Sequence, residues 1–367
     1  MWGTKKKKKK LGFWSILFRV FLIISAIALV LSYLAIYINP SKFSIPLFFG
    51  LFFIPIFVVN VFLLIIALIS KSKSALIPII ALIPSLLYTN SFVQLWGSND
   101  VEEGDKIVVE SYNVGLFSSG SNKMPRKECL TKMKEHFKTV NPDIICLQEF
   151  FVTSTKQADT IFKQYPHRFY HLFKISTYSY FGNIILSKFP IVNSGEITFP
   201  KSTNHCIFAD INYKNSVFRV YNNHLESYNL SFTSLAEKFS PSYNLTTEEI
   251  GSDLLVAHNK LLDRTIKRSN QVNTIAKDIK DCKYPTLICG DFNDTPMSYT
   301  YNTLTKGKKD SFKEAGKGFG ATFSLLYPLL RIDYILYSPE LFSCTNLTIE
   351  KIKLSDHYPS FATLIIK

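Results

Sequence analysis

Cysteine is scarce in this sequence, with six residues in a chain of 367. The sequence contains no Cys-x-x-Cys pair and no zinc-binding spacing, which argues against a thiol-redox centre and against a zinc site. Three cysteines lie inside apolar, strand-like runs and are expected to be buried: Cys146, Cys206 and Cys289. The other three could form disulfides in an oxidising compartment, although no spacing requires it: Cys129, Cys282 and Cys344. Cysteine therefore carries no functional assignment.

Acidic residues are almost absent from the first 100 residues, which contain ten lysines and arginines but only one acid, Asp100. Six of these bases form the run Lys5–Lys10, the only low-complexity segment in a chain without internal repeats. The net charge of +14 therefore comes largely from this region, and the remaining residues carry about +5. So weak an excess does not indicate a nucleic-acid-binding surface. A group of lysines between residues 306 and 317 is interpreted as a solvated loop, with contact to phosphates or anionic lipids as the alternative.

Charged residues are also rare in three long apolar stretches, Leu11–Ile38, Ile45–Ile69 and Ala75–Trp96. About 20 apolar residues span the hydrocarbon core of a bilayer, so each stretch is long enough to cross a membrane. We therefore predict three transmembrane helices in a membrane anchor that comprises residues 1–100. A cleaved signal peptide is the alternative for the first stretch, since Ala26-Ile27-Ala28 resembles a cleavage site.

Positive charge flanks these stretches unevenly. Most of it lies at the N-terminus and in the second connection, at Lys5–Lys10, Arg19, Lys71 and Lys73, whereas the first connection holds only Lys42. Because positively charged loops tend to stay in the cytoplasm, the N-terminus and the Lys71 loop are predicted to be cytoplasmic. Three crossings would then place the rest of the chain outside the cytoplasm. The partners implied are the lipid bilayer and a substrate, and no protein partner is implied.

The second region, residues 101–367, is long enough for one catalytic domain with a substantial core. Short runs rich in β-branched residues predict strands at Lys106–Tyr112, Asp143–Leu147, Val217–Asn222, Tyr284–Cys289, Ile332–Leu336 and Pro359–Ile366. Helical spacing predicts helices at Arg126–Val140, Thr155–Gln164 and Thr247–Asp281, the last with Arg268 and Gln271 on its polar face. Polar side chains stand at or near the strand ends. Each alone is explained by a turn or a cap, so only their combination is informative.

Seven segments carry that combination: Ser111-Tyr112-Asn113-Val114, Leu147-Gln148-Glu149, Gly182–Ile191, Asn222-Asn223-His224-Leu225, Gly290-Asp291-Phe292-Asn293-Asp294, Arg331–Ile335 and Ser355–Pro359. In this order they resemble the endonuclease/exonuclease/phosphatase superfamily, which includes deoxyribonuclease I-like nucleases, abasic-site endonucleases, neutral sphingomyelinases and inositol polyphosphate 5-phosphatases. The resemblance covers roughly residues 105–367. It implies an α/β fold, a four-layer sandwich in which two mostly antiparallel sheets are flanked by helices.

The resemblance also implies a divalent metal, Mg²⁺ or Mn²⁺. Glu149 is the natural hard-oxygen ligand, and Mg²⁺ in proteins usually takes only one or two carboxylates and keeps several waters. By resemblance, Asn113 helps to hold the metal and Asp356 is a further candidate ligand. Such an ion would neutralise charge on the phosphoryl oxygens during hydrolysis of a phosphate ester.

Five further residues receive catalytic roles from the same resemblance. Asp291 and Asn293 would orient the attacking water and donate a hydrogen bond to the phosphoryl group. His357 would act as general base, with its other ring nitrogen held by Asp333. His224 would contact the phosphoryl group as cation, donor or acid. The general base is left open between Asp291 and His357.

The chain departs from the family pattern at two points. Abasic-site endonucleases have an acid two residues after the first Asn, where this chain has Gly115, which weakens a DNA-repair function. An insertion after Glu226 contains Tyr228, Phe232, Leu235, Phe239 and Tyr243, and is either a substrate or membrane contact or a subdomain packed on the core. Three hypotheses follow: a membrane-anchored phosphodiesterase or phosphatase, a tethered nuclease on DNA or RNA, and a catalytically silent binding module.

Overall fold

The computed structural model describes residues 12–95, 97, 104–118, 124–214, 216–228 and 247–367. Within these ranges the chain forms an N-terminal helical bundle and an α/β sandwich. Several sequence features lie outside the described residues: Lys5–Lys10, the boundary at residues 100 and 101, and Phe232, Leu235, Phe239 and Tyr243 of the aromatic insertion.

The bundle begins with helix α1, Phe13–Leu34, whose 22 mostly apolar residues make it about 33 Å long. It is the one described helix that is long and apolar enough to cross a membrane. The second apolar stretch forms α2, Ile45–Leu51, and α3, Phe53–Ile69, which meet at a bend of 75° and count at most as one broken span.

The third apolar stretch is not one long helix. It consists of a 3-10 turn at Lys73–Ala75, helix α4 at Leu76–Leu82, and 3-10 turns at Ile83–Leu87 and Thr89–Ser91. Pro84 lies at the start of the second turn, where its missing N–H ends the α-helical hydrogen-bond ladder. The prediction of three transmembrane helices is therefore wrong as stated, because the structure supplies one spanning helix, or two if the bent pair is one span.

Few polar groups lie inside the bundle, and each described here bonds to a backbone carbonyl. Tyr33 donates its hydroxyl to Ala81 O at 2.9 Å, and Asn60 donates its amide to Ser25 O at 3.0 Å. Large apolar side chains face outward instead, among them Trp14, Phe21, Ile24, Phe62 and Leu86. Helices that are apolar on their inner and outer faces alike are typical of membrane spans or of buried helices.

Fourteen strands are present in the described residues. They are β1 Val93–Gln94, β2 Asp105–Asn113, β3 Ile144–Val152, β4 His167–Ser176, β5 Ser179–Ser187, β6 Ile191–Thr198, β7 His205–Tyr213, β8 Ser216–His224, β9 Thr286–Asp291, β10 Lys309–Asp310, β11 Gly318–Phe319, β12 Asp333–Tyr337, β13 Phe342–Ile349 and β14 Ser360–Ile366. Twelve of them form two six-stranded sheets, ordered β13-β14-β2-β3-β5-β4 and β10-β12-β9-β8-β7-β6. Only the pairs β2 with β3 and β8 with β9 are parallel. The predicted pair of mostly antiparallel sheets is confirmed.

Helices cover both outer faces of this pair of sheets. On the first sheet lie α5, Arg126–Val140, and α6, Thr155–Thr160, which bury Met133, Phe137 and Ala158 against it. On the second lie α7, Thr247–Asp281, and α8, Tyr299–Leu304, which bury Val272 and Leu304. A short helix α9, Ser311–Ala315, packs at the end of the inter-sheet core. The four-layer α/β sandwich is thus confirmed, although α6 ends four residues before the predicted Gln164.

The cysteines agree with burial rather than pairing. Cys146, Cys206 and Cys289 are buried as predicted, and all six cysteines are free thiols. The alternative of disulfides among the other three is therefore not realised in this structure.

The bundle lies directly against the sandwich. Strand β1 pairs with β11, and the ring of Phe48 stacks on His258 of α7 with centroids 4.6 Å apart. Gly50 packs so closely that a Cβ there would lie 2.4 Å from Met297 O. The fully buried guanidinium of Arg331 donates to Ser91 O at 3.2 Å. These contacts place the bundle beside the segments that flank Asp291–Asn293 and Asp333.

Candidate active site

Most of the predicted site residues converge at one edge of the sandwich, where β2, β8 and β9 end and β12 begins. Asn113 pairs in register with Gln148, which precedes Glu149, in the parallel pair β2 and β3. His224 of β8 pairs with Asp291 of the parallel strand β9. On the other side of β9, Asp291 pairs with Asp333 of the antiparallel strand β12. The carboxyl ends of parallel strands meet at the same edge of a sheet, where ligands of α/β folds usually bind.

Unusual backbone conformations shape this edge. Glu149 and Asn293 have left-handed φ values of 50° and 52°. Gly290 has φ 128°, and a Cβ there would lie 2.1 Å from Asn223 O, so only glycine fits. Left-handed non-glycine residues persist where the surrounding structure fixes them, and they cluster at functional sites.

A buried histidine and two carboxylates form the centre of the site. His357 Nδ1 lies 2.9 Å from Asp333 Oδ2, and His357 Nε2 lies 3.7 Å from Asp291 Oδ2. Burial by itself lowers the pKa of His357, but the charges of Asp333 and Asp291 outweigh it and leave the pKa well above its ordinary value. Thr322 Oγ1 accepts the backbone N–H of Asp333 at 3.1 Å and fixes the start of its strand.

Asp291 is enclosed by donors of different kinds. Its Oδ2 accepts Asn113 Nδ2 at 3.0 Å, and its Oδ1 accepts the backbone N–H of Asn293 at 2.8 Å. Burial raises the pKa of Asp291 to about 6, helped by the charge of Asp333 and opposed by His357 and His224. A carboxyl whose pKa is raised in this way suits a group that exchanges a proton.

Glu149 stands at the open side of the site. Its side chain is 31% exposed, and its Oε1 lies 3.6 Å from His224 Nε2. Asn113 Nδ2 donates to the same oxygen at 3.2 Å and thereby joins Glu149 to Asp291. Asn113 Oδ1 accepts the N–H of Gly115 at 3.0 Å.

Two predicted residues are less closely joined to this group. Asn293 donates its amide to Leu225 O at 2.9 Å and reaches Asp291 through its backbone. Asp356 Oδ1 accepts Ser355 Oγ at 3.2 Å and would lie 3.2 Å from a Cβ at Gly115. Among the contacts of the described residues, none joins Asp356 directly to Glu149 or Asn113.

The donor set fits a hard divalent cation. Ligand atoms of Asp291, Asp333 and His357 all lie within 4.8 Å of one another. Asp333 Oδ1 is buried and has no hydrogen-bond partner among the described residues. Asp333 and His357 are already engaged with each other, whereas Glu149 offers oxygens that solvent can reach. Carboxylate and amide oxygens are what Mg²⁺ and Mn²⁺ prefer.

A polar network between the two sheets escaped the sequence analysis. Gln148 Nε2 donates to Asn222 Oδ1 at 2.6 Å, and Asn222 Nδ2 donates to Leu147 O and Ile184 O, each at 2.9 Å. Asn183 Nδ2 donates to His205 O at 3.2 Å. All three amides belong to the quoted motifs, which was the available signal, although no role was assigned to them. The network fixes the strand ends that carry Glu149 and His224.

The polar face predicted for α7 is buried rather than solvated. Arg268 is fully buried, and its Nε donates to Asp294 Oδ2 at 3.1 Å while its Nη1 donates to Glu226 O at 2.6 Å. The guanidinium lies 4.1 Å from the ring of Tyr228, and Gln271 Oε1 accepts the N–H of Glu226 at 2.8 Å. Arg268 therefore supports the loop after β8 and the turn after β9 at once.

Comparisons with known proteins agree with this geometry. The model of the Endonuclease/Exonuclease/phosphatase family matches residues 111–357, and a domain of unknown function matches residues 15–92. No curated protein matches the chain.

Solved structures share the fold at low sequence identity. An endonuclease/exonuclease/phosphatase from Beutenbergia cavernae is 15% identical, with a TM-score of 0.51 over 71% of this chain and 72% of that one. One from Bacteroides vulgatus is 17% identical, with a TM-score of 0.51 over 72% and 100%. The human Nocturnin catalytic domain with bound sulfate is 17% identical, with a TM-score of 0.50 over 73% and 97%. Because the family model spans most of the chain and includes every predicted site residue, the chain belongs to the endonuclease/exonuclease/phosphatase family.

Proposed function

We propose that this chain is a divalent-metal-dependent phosphoesterase, a phosphodiesterase or phosphatase, held at a membrane by its N-terminal bundle. The observation that carries the proposal is a row of three buried side chains, in which His357 lies between Asp333 and Asp291. This row lies beside the accessible carboxylate of Glu149. Hydrolysis of a phosphate ester requires a water to be deprotonated and charge on the phosphoryl oxygens to be neutralised. The two halves of this site supply those two requirements.

The proton-transfer half is formed by His357 and Asp291. Asp333 holds Nδ1 of His357 and leaves Nε2 directed at Asp291, so the two candidate bases share one position for the attacking water. Asn293, held by Asp291 and Leu225, would orient that water and donate to the phosphoryl group. His224 lies on the side of Glu149 and would contact the phosphoryl oxygens.

The metal-binding half is formed by Glu149 and Asn113, with Asp356 as a further ligand candidate. Mg²⁺ or Mn²⁺ bound there would act as a Lewis acid on the phosphoryl group. Glu149 has the accessible oxygens for this role, and Asn113 keeps it close to Asp291. Asp356 has the weakest support of the three, because its carboxylate accepts a hydrogen bond from Ser355 rather than contacting Glu149.

The bundle supports anchoring through its outward apolar side chains and the length of α1. Lys5–Lys10 favour a cytoplasmic N-terminus, and α1 as the single span would then place the catalytic domain on the other side, whereas a second span through α2 and α3 would return it to the cytoplasm. A reporter fused after Lys367 tests the single-span topology: an exported reporter is expected, and a cytoplasmic one contradicts it.

A substrate panel tests the activity itself. The purified full chain with Mg²⁺ or Mn²⁺ would be given a soluble chromogenic phosphodiester, phospholipid vesicles, inositol phosphates, DNA and RNA. Metal-dependent hydrolysis of a phosphate ester is expected, and no hydrolysis of any member contradicts the proposal. Clear preference for DNA or RNA would replace it with the tethered nuclease.

A further inference from the structure

An unusually apolar loop forms part of the rim of the site. Residues 323–330 read Phe-Ser-Leu-Leu-Tyr-Pro-Leu-Leu and contain no charged residue. Leu325 is 50% exposed and Leu329 is 47% exposed. Surface loops are normally polar, and a contiguous exposed apolar patch usually marks a contact with a membrane, a ligand or a protein. Neither the catalytic chemistry nor the packing of the sandwich accounts for these two leucines.

The loop is fastened to the catalytic residues at its base. The N–H groups of Thr322 and Phe323 both donate to Leu330 O, at 3.0 and 3.2 Å, and close the loop. The ring of Phe323 lies 5.2 Å from that of His357, and Ser324 N donates to Asp356 O at 2.8 Å. Whatever the tip touches is therefore held next to His357, one of the two candidate bases.

The apolar surface of the loop continues to the end of the bundle. The ring of Tyr327 lies 6.1 Å from that of Phe319, and Phe319 of β11 pairs with Val93 of β1. Leu95, one residue beyond β1, is 71% exposed. An exposed apolar path thus runs from the bundle, which carries the proposed membrane-facing surface, to the mouth of the site.

Positive charge accompanies this path. Lys351 Nζ donates to the hydroxyl of Tyr327 at 2.6 Å and lies 4.3 Å from the centre of its ring. Lys317 is exposed immediately before β11. Apolar side chains that enter lipid, flanked by tyrosine and lysine at the level of the phosphates, are typical of surfaces that bind the membrane interface.

We infer that loop 323–330 inserts Leu325 and Leu329 into the lipid surface, so that the site acts on phosphate esters presented by that surface. The inference rests on the proposed phosphoesterase function for its substrate class, but the lipid contact itself does not depend on turnover. The exposed patch on the loop fits a lipid interface because it is continuous with the bundle and is flanked by lysines.

The lipid contact is tested on the full chain in lipid nanodiscs. An environment-sensitive fluorophore would be placed at Leu325→Cys, with Cys282→Ser to remove the one native thiol that is not buried. The matched control is Val192→Cys, an exposed position on edge strand β6, which lies at the far end of its sheet from β10. Quenching by spin-labelled lipids is expected at position 325 and not at 192. Equal, solvent-like behaviour at both positions overturns the inference, whether or not the protein is active.

The substrate class is tested by Leu325→Ser combined with Leu329→Ser. The rate on phospholipid vesicles, divided by the rate on a soluble phosphodiester, is expected to fall about tenfold or more, because two side chains leave the lipid. An unchanged ratio overturns the assignment of a lipid-borne substrate. If the unsubstituted protein hydrolyses neither substrate, the proposed function fails, while the quenching result still decides the lipid contact.

Discussion

The bundle and the sandwich distribute the same kinds of residue in opposite ways. In the bundle, Trp14, Phe21 and Phe62 face outward, and the interior holds few polar groups. In the sandwich, the outward residues are mostly polar, and the interior holds Gln148, Asn222 and the fully buried Arg268. The bundle has apolar residues on both its inner and outer faces, whereas the sandwich keeps most of them inside. This difference is the one expected if the bundle faces lipid, as proposed, while the sandwich faces water.

The buried polar groups of the sandwich also lie where backbone segments near the candidate site are held in place. Burying an amide or a guanidinium is unfavourable unless hydrogen bonds compensate, so each such group holds particular backbone segments in place. Gln148 and Asn222 hold the ends of β3 and β8, and Arg268 holds the loops that follow β8 and β9. The bundle has no comparable network in its described residues.

The largest effect is expected at Glu149, the proposed metal-binding carboxylate of the sandwich. Glu149→Gln should lower turnover by about 10³-fold or more while the fold is retained, because a charged ligand is replaced by a neutral amide. Turnover of a soluble phosphodiester, with and without excess chelator, measures it. Glu314→Gln is the matched control, since Glu314 is a carboxylate of similar exposure, 36% against 31%, that pairs with Lys309. Undiminished activity of Glu149→Gln would remove the metal-dependent mechanism.

The second prediction tests whether Asp333 and His357 act as a unit. Asp333→Asn and His357→Ala should each lower turnover by about 10²-fold or more, since both remove a correctly held imidazole. The double variant should be little worse than the more damaging single variant, because the second change removes a function already lost. Steady-state kinetics of all four proteins measure this. If the loss of turnover in the double variant equals the product of the two single losses, Asp333 does not work through His357.

The sequence predicted the catalytic edge better than it predicted the bundle. Asn113, His224 and Asp291 end β2, β8 and β9, where a β-branched run followed by a polar residue is visible in a single sequence. Glu149 lies at the register shift within β3, Asp333 begins β12, and His357 precedes β14. Their roles stay predictions, but their convergence follows from parallel strands ending together.

Three features could not be read from local sequence. The burial of Arg268 depends on Asp294 and Glu226, which approach it only in the folded chain. The third apolar stretch is long enough to span a membrane, but the proline-containing turn at Ile83–Leu87 breaks it. The exposed loop 323–330 has the composition of a core segment, whereas the aromatic insertion after Glu226 has the composition of a contact surface.

The contact between the regions is tested at Gly50. Alanine in a helix is normally favoured over glycine by about 1 kcal/mol. At Gly50, however, the new Cβ would lie 2.4 Å from Met297 O and 2.6 Å from Ala35 Cβ, so the bundle and the sandwich must separate slightly. Gly50→Ala should therefore destabilise the protein by roughly 1–3 kcal/mol. Thermal unfolding of the full chain in nanodiscs measures it.

Gly12→Ala is the control for that substitution, since no atom lies within 4 Å of its added Cβ. If Gly50→Ala and Gly12→Ala unfold at the same temperature, the two regions are not packed as the structure shows.

The smallest expected effect is a pH dependence confined to the sandwich. His136 Nε2 lies 2.6 Å from the buried Glu110 Oε1, and its Nδ1 lies 3.1 Å from Glu350 Oε2. Burial lowers the pKa of His136, but the two carboxylates outweigh it and raise the pKa above its ordinary 6.5, while burial raises the pKa of Glu110. The folded state therefore binds protons more tightly at both groups.

Because both pKa values are higher in the folded protein, the His136 contribution to stability is complete below pH 6.5 and is lost as the pH rises through the folded pKa. Glu110 acts in the same direction, since its carboxylate becomes costly to bury once ionised. The free energy of unfolding should fall by on the order of 1 kcal/mol between pH 6 and 9. Denaturant titrations of the protein measure this slope, and replacing both groups, with His136→Gln and Glu110→Gln, should flatten it. A slope that is the same in both proteins would show that this buried pair does not titrate on folding.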